Sequence, residues 1–92
     1  MRRAVRVIIS GRVQGVGYRD WTRREAVARG LGGWVRNRRD DSVEAVFGGE
    51  DSHIDSMLLA LRVGPPAARV KQITPEEWDG VVPLGFEVLG TE

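Results

Sequence analysis

Gly11-Arg12-Val13-Gln14-Gly15-Val16-Gly17-Tyr18-Arg19 is the segment whose residue types and spacing can do chemistry. Glycines at 11, 15 and 17 allow positive φ values, so successive backbone N–H groups can turn toward one point and form an anion nest at the start of a helix. Arg19 adds a planar, permanently charged fork for two oxygens of the same anion. The loop is no Walker A sequence, because Gly15 is not followed by Gly-Lys-Ser/Thr at the required spacing. It is no dinucleotide fingerprint either, since Asp20 stands where the third glycine belongs. An anion smaller than a nucleotide is expected there. An arginine in the first helical turn opposes the macrodipole, and a local mismatch of that kind tends to mark function; Asp20 offsets part of it. Asn37 is the second residue of interest. Asparagine is disfavoured in strands, and Asn37 shares parity with Val35, so an inward-facing Val35 brings the amide inward too, where it needs partners.

The elements that must position these groups follow from periodicity. Val5, Val7 and Ile9 alternate along residues 4–10 and define one face of a strand that the glycine loop closes. A helix is predicted from Tyr18 to Arg29, with Tyr18, Trp21, Thr22 and Ala26 on one face and Gly30 as a left-handed cap. Trp34–Arg38 and Ser42–Phe47 alternate around Arg39-Asp40-Asp41 and read as a β-hairpin whose second arm stops at Gly48-Gly49. Ser52 with Asp55 has the spacing of a capping box, and Ile54, Met57, Leu58 and Leu61 fall at i, i+3, i+4 and i+7 of a second helix. Gly64-Pro65-Pro66 ends it. A strand over 68–74, an irregular stretch from Pro75 to Pro83 and a short strand at Gly85–Leu89 complete the chain. This order, βαββαβ plus a terminal strand, predicts an α+β, ferredoxin-like split βαβ fold: an antiparallel-mixed sheet with two helices on one face, as a single domain over residues 1–92.

Composition excludes several classes. The chain has no cysteine and one histidine, His53, so it offers no disulfide framework, no thiolate nucleophile and no Cys or His set for a metal. His53 reads as a solvated residue of the second helix. No apolar run reaches the length of a membrane span, and Met-Arg-Arg leads into a strand-like run rather than a cleavable hydrophobic segment, so a soluble, cytoplasmic protein is expected. Net charge is +1 at pH 7, with Lys71 the only lysine. That supplies no global field for nucleic acid. The run Arg36, Arg38, Arg39 reads as a solvated edge beside Asn37, able to steer an anion. Trp21 and Trp34 read as packing residues, and Tyr18 as a core-facing ring whose backbone N–H joins the nest.

Val-Gln-Gly-Val-Gly-Tyr-Arg at 13–19 and Gly33-Trp34-Val35-Arg36-Asn37, followed by Ser42-Val43-Glu44 and Gly85-Phe86-Glu87-Val88, resemble acylphosphatases over essentially the whole chain. The resemblance implies a metal-free, cofactor-free hydrolase of small acyl phosphates, acting as a monomer without membrane or nucleic acid. Its phosphate loop would fall on Gln14, Gly15, Val16, Gly17, Tyr18 and Arg19, with Arg19 and Asn37 as catalytic residues. The chain departs from the family pattern at three places. Asp41 stands where a turn glycine is usual, Arg29 where leucine is frequent, and Tyr18 where phenylalanine is common.

The chemistry is consistent with that residue set. An acyl phosphate leaves as a carboxylate whose conjugate acid has a pKa of about 4 to 5, so no protein acid is required. Phosphoryl transfer is loose, and positioning plus charge stabilisation on the equatorial oxygens is what remains for the protein to do. Asn37 can accept from water and donate to phosphate at once, but it cannot act as a general base. The proton is then expected to go to a substrate oxygen, with no phosphoenzyme. Two other readings stay open. One is a phosphate-binding or partner-dependent module, like the similar domain at the start of carbamoyl-transferring hydrogenase-maturation proteins. The other is a nucleic-acid-binding ferredoxin-like domain, although Val43–Phe47 lacks the stacking aromatics of an RNP-like strand.

Overall fold

In the computed structural model, which describes residues 1–92, the N-terminal alternation becomes β1 (Arg2–Arg12). α1 (Tyr18–Ala28), β2 (Gly32–Asn37), β3 (Val43–Glu50), α2 (Asp51–Val63), β4 (Arg69–Glu77) and β5 (Phe86–Val88) follow. The sheet order is β4-β1-β3-β2-β5. Every pairing is antiparallel except β2 with β5. This is the ferredoxin-like α+β fold that the element order predicts.

Register decides which side chains meet the helices. Val5, Val7 and Ile9 stand opposite Phe47, Ala45 and Val43, and Val35 stands opposite Ala45. All of them join Tyr18 and Ala26 of α1 and Ile54, Met57 and Leu61 of α2 in one buried cluster. Each fully buried aliphatic side chain stabilises by about 1.5–3 kcal/mol. An exposed ion pair contributes about 0–1 kcal/mol. Alternation, more than charge pairing, therefore fixes the register. Asn37 stands opposite Val43, so it lies on this same helix-covered face.

The opposite face is closed differently. Glu44 of the central strand is 4% exposed and accepts from Arg6 Nε at 2.6 Å and Arg36 Nε at 2.7 Å. Burial pushes its carboxyl pKa up, but the hydrogen bonds from the two guanidiniums outweigh that and hold it below the usual carboxylate value. Arg36 also lies over the Trp34 ring, 5.1 Å from its centroid, and Trp34 meets Trp78 edge-on.

Several local expectations are corrected. Gly48 and Gly49 do not stop β3, which continues paired to Ala4 and Arg3 through Glu50. A Cβ on Gly48 would come within 2.8 Å of Val82 Cγ1, so the missing side chain is what lets the 78–85 segment pack down. Because β3 runs on, α2 begins at Asp51 with Glu50 as its N-cap, and Ser52 does not cap it. Asp51 N–H instead donates to the Met1 carbonyl at 2.7 Å, and Asp55 accepts from Arg3 at 3.3 Å. β4 extends to Glu77 through Pro75, which is tolerated because β4 is an edge strand. The basic run is not an open edge: β5 pairs with Gly33 to Val35, and the chain after it continues alongside, with Glu92 N–H donating to Asn37 O. Arg36 is committed to Glu44, and Arg38 and Arg39 donate to the Glu92 side chain and carbonyl at 3.1 and 2.8 Å. Gly30 ends α1 with φ 68°, as expected.

Candidate active site

The loop between β1 and α1 is anchored at both ends. Val13 is buried, and the Gln14 amide donates to the carbonyls of Arg38 and Ser42, each at 2.8 Å. Gln14 thus ties the loop to the β2–β3 turn, and its side chain is committed there. At the other end Tyr18 is 1% exposed and its hydroxyl donates to Leu61 O at 2.7 Å. Burial raises its pKa, so the phenol stays neutral and works as a structural donor.

Between these anchors Gly15 and Gly17 adopt φ values of 73° and 78°, the left-handed region that a Cβ disfavours. Gly11 does something else. It lies within β1 at a register shift against β4, and a Cβ there would sit 2.2 Å from Arg69 O. Gly17 is the N-cap of α1, no side chain caps that helix, and Trp21 N–H makes the first helical bond to Gly17 O. The preceding helical N–H groups have no intrahelical acceptor. Uncapped amides at a positive helix end are suited to an anion.

A cleft of about 470 Å³ opens over this helix end. Gly15, Gly17, Tyr18, Arg19 and Asn37 line it, with Val13 and Val88 as apolar wall and Asp20 and Arg23 beside them. Gln14 and Val16 do not line it. Arg19 is half-buried and donates to Leu89 O at 3.3 Å. Asn37 Oδ1 is buried without a donor. Its backbone carbonyl accepts from Glu92 N–H at 3.2 Å, and Leu89 N–H donates to Val35 O at 2.9 Å, so the chain after β5 passes beside both residues.

Sequence reasoning missed Arg23, Val88 and Leu89. Arg23 was findable, because it is four residues from Arg19 and so on the same helical face. Leu89 acts through its carbonyl, which leaves no side-chain signal, and Val88 reaches the cleft only because β5 pairs beside β2. No group of three or more His, Cys, Asp or Glu side chains is placed to hold a metal ion, and no helix is long and apolar enough to cross a membrane.

A ferredoxin-like sheet whose first loop enters an uncapped helix beneath an arginine falls with the phosphate-handling domains of this fold, which otherwise hosts many functions. The acylphosphatase family model matches residues 5–88. An acylphosphatase of Bradyrhizobium diazoefficiens is 56% identical over 77 residues, covering 83% of this chain and 78% of the relative. One of Rhizobium meliloti is 49% identical over 88 residues, covering 95% and 93%. The crystal structure of acylphosphatase from Bacillus subtilis superimposes with TM-score 0.90 at 36% identity, covering 97% of this chain and 99% of that one. A phosphate- and nucleotide-bound HypF superimposes with TM-score 0.90 at 25% identity, but the match spans 12% of that much longer chain. This chain belongs to the acylphosphatase family and is an acyl phosphate hydrolase.

Proposed function

We propose that the protein hydrolyses the P–O bond of acyl phosphates by in-line attack of water, without a metal ion or a phosphoenzyme, with Arg19 and Asn37 as its catalytic residues. One observation carries this reading: the glycine loop, Arg19 and Asn37, from separate elements of the chain, line a single cleft. The loop amides of Gly15 to Arg19 hold the phosphoryl oxygens, Val16 through its N–H and Gln14 by fixing the loop. Arg19, half-buried and steadied by Leu89 O, stabilises charge on the equatorial oxygens.

Asn37 orients the water. Its Oδ1 lacks any donor within the protein, and half a turn of the amide presents that oxygen to the cleft, where it accepts from the attacking water. The water oxygen bonds to phosphorus as the P–O bond breaks. The carboxylate departs with the bonding pair, and the water's proton passes to a phosphoryl oxygen, giving a carboxylate and inorganic phosphate.

The residues assigned to the reaction, Gly15, Gly17, Arg19 and Asn37, all come from one chain, so the proposed mechanism needs no second copy. A nucleic-acid role is disfavoured because the exposed-side positions of the central strands hold the paired Arg6 and Glu44 rather than stacking rings. The test is benzoyl phosphate hydrolysis in excess EDTA. Turnover should survive chelation, and Arg19→Ala should lower kcat/KM by about 10²-fold or more, by analogy with loss of an oxyanion donor. Activity within a fewfold of wild type in that variant, or loss of activity on chelation, refutes the assignment.

A further inference from the structure

We infer that Arg23 forms a second anion subsite and makes this enzyme prefer acyl phosphates whose acyl part carries its own carboxylate or phosphate. The inference rests on the reading above, in which Arg19 and the loop take the phosphoryl group. Arg23 follows Arg19 by four residues on α1, which places the two side chains one above the other on one helical face. Both line the cleft.

The two guanidiniums differ in what they are free to do. Arg19 is steadied by Leu89 O, whereas Arg23 donates no hydrogen bond to any protein group and approaches only Asp20, at 3.5 Å. Asp20 is itself shared, since its other oxygen is held by Arg24. One carboxylate therefore serves two arginines, and the patch of Asp20, Arg23 and Arg24 keeps an excess positive charge. Arg23 is less than half exposed, so part of the solvent screening that weakens surface pairs is removed. The cleft also has room to spare: about 470 Å³ exceeds what a phosphoryl and a two-carbon acyl group fill. The apolar wall of Val13 and Val88 suits the acyl stem, and the planar fork of Arg23 suits a second anion.

The experiment compares kcat/KM for meta- and para-carboxybenzoyl phosphate with their methyl esters, which lack the ring carboxylate's charge, in wild type, Arg23→Gln and Arg62→Gln. Arg62 is an exposed residue of α2, and its substitution matches the change in net charge. The acid-to-ester ratio in wild type should exceed that in Arg23→Gln by about three- to tenfold for at least one isomer, with the difference shrinking at high salt. Arg62→Gln should keep the wild-type ratio. An equal ratio in wild type and Arg23→Gln, or an equal fall in Arg62→Gln, overturns the inference while leaving the phosphoryl site intact. Failure of wild type to hydrolyse even the methyl esters would instead overturn the site reading, and this inference with it.

Discussion

Replacing Asn37 by alanine should make the protein inactive and more stable at once. Asn37 Oδ1 is buried on the helix-covered face without a donor, and an unsatisfied buried acceptor costs about 1–3 kcal/mol. Alanine removes that cost. The space it leaves opens onto the cleft, where water fills it, so little cavity penalty is added. Asparagine and alanine are both depleted in strands, which keeps the propensity change small. The net expectation is a gain of about 1 kcal/mol, or a Tm rise of about 4–8 °C for a domain of this size.

Activity should move the other way. Loss of a group that orients the attacking water in the transition state should lower kcat by about 10²- to 10³-fold, on the scale of an oxyanion-hole donor. Competitive inhibition by inorganic phosphate should change little, because the loop and Arg19 remain. Calorimetry gives Tm, and the loss of benzoyl phosphate absorbance gives kcat and the phosphate inhibition constant. An inactive variant whose Tm has fallen would show Asn37 to be a structural residue. A variant with kcat within a few-fold of wild type would remove it from the mechanism, and one with kcat intact and phosphate inhibition lost would reassign it to binding.

Two further expectations concern stability. Glu44 has a lowered carboxyl pKa in the folded state, so its contribution is fully present above the unfolded value of about 4.5 and is lost as pH falls through the folded value. Glu44→Gln should destabilise by about 1–3 kcal/mol at pH 7 through loss of charged hydrogen bonds from Arg6 and Arg36. The gap in Tm between variant and wild type should narrow as pH falls below the unfolded value of about 4.5; a gap independent of pH would mean that packing, not charge, is responsible. Asp41 has φ 72° in the β2–β3 turn. Asp41→Gly should relieve left-handed strain of about 1 kcal/mol, partly offset by the entropy of an unfolded glycine, and denaturant unfolding with an unchanged or lower midpoint would refute it.

The sequence by itself determined the fold class, the order of elements, and the loop and asparagine to which chemistry is assigned. The reason is that these are encoded locally: period two in Val5-Val7-Ile9, period 3.6 in Ile54-Met57-Leu61, and glycines where φ must be positive. The departure from the family's turn glycine falls on Asp41, and it is the structure that gives this residue its left-handed φ of 72°. Tertiary structure decided what depends on neighbours distant in the chain. Whether Gly48-Gly49 ends a strand is settled by β1 pairing alongside and by Val82 needing the space. Once β3 runs on, the start of α2 moves back and Ser52 loses its capping role. The basic run reads as a solvated edge because sequence shows neither Glu44 opposite Arg36 nor Glu92 returning to Asn37, Arg38 and Arg39. Asn37 follows the parity of Val35 in sequence, yet only register with Val43 and the crossing of residues 89–92 bring it to the same cleft as Arg19. Side-chain alternation is a local property; a cleft shared by the ends of separate elements is set by their packing.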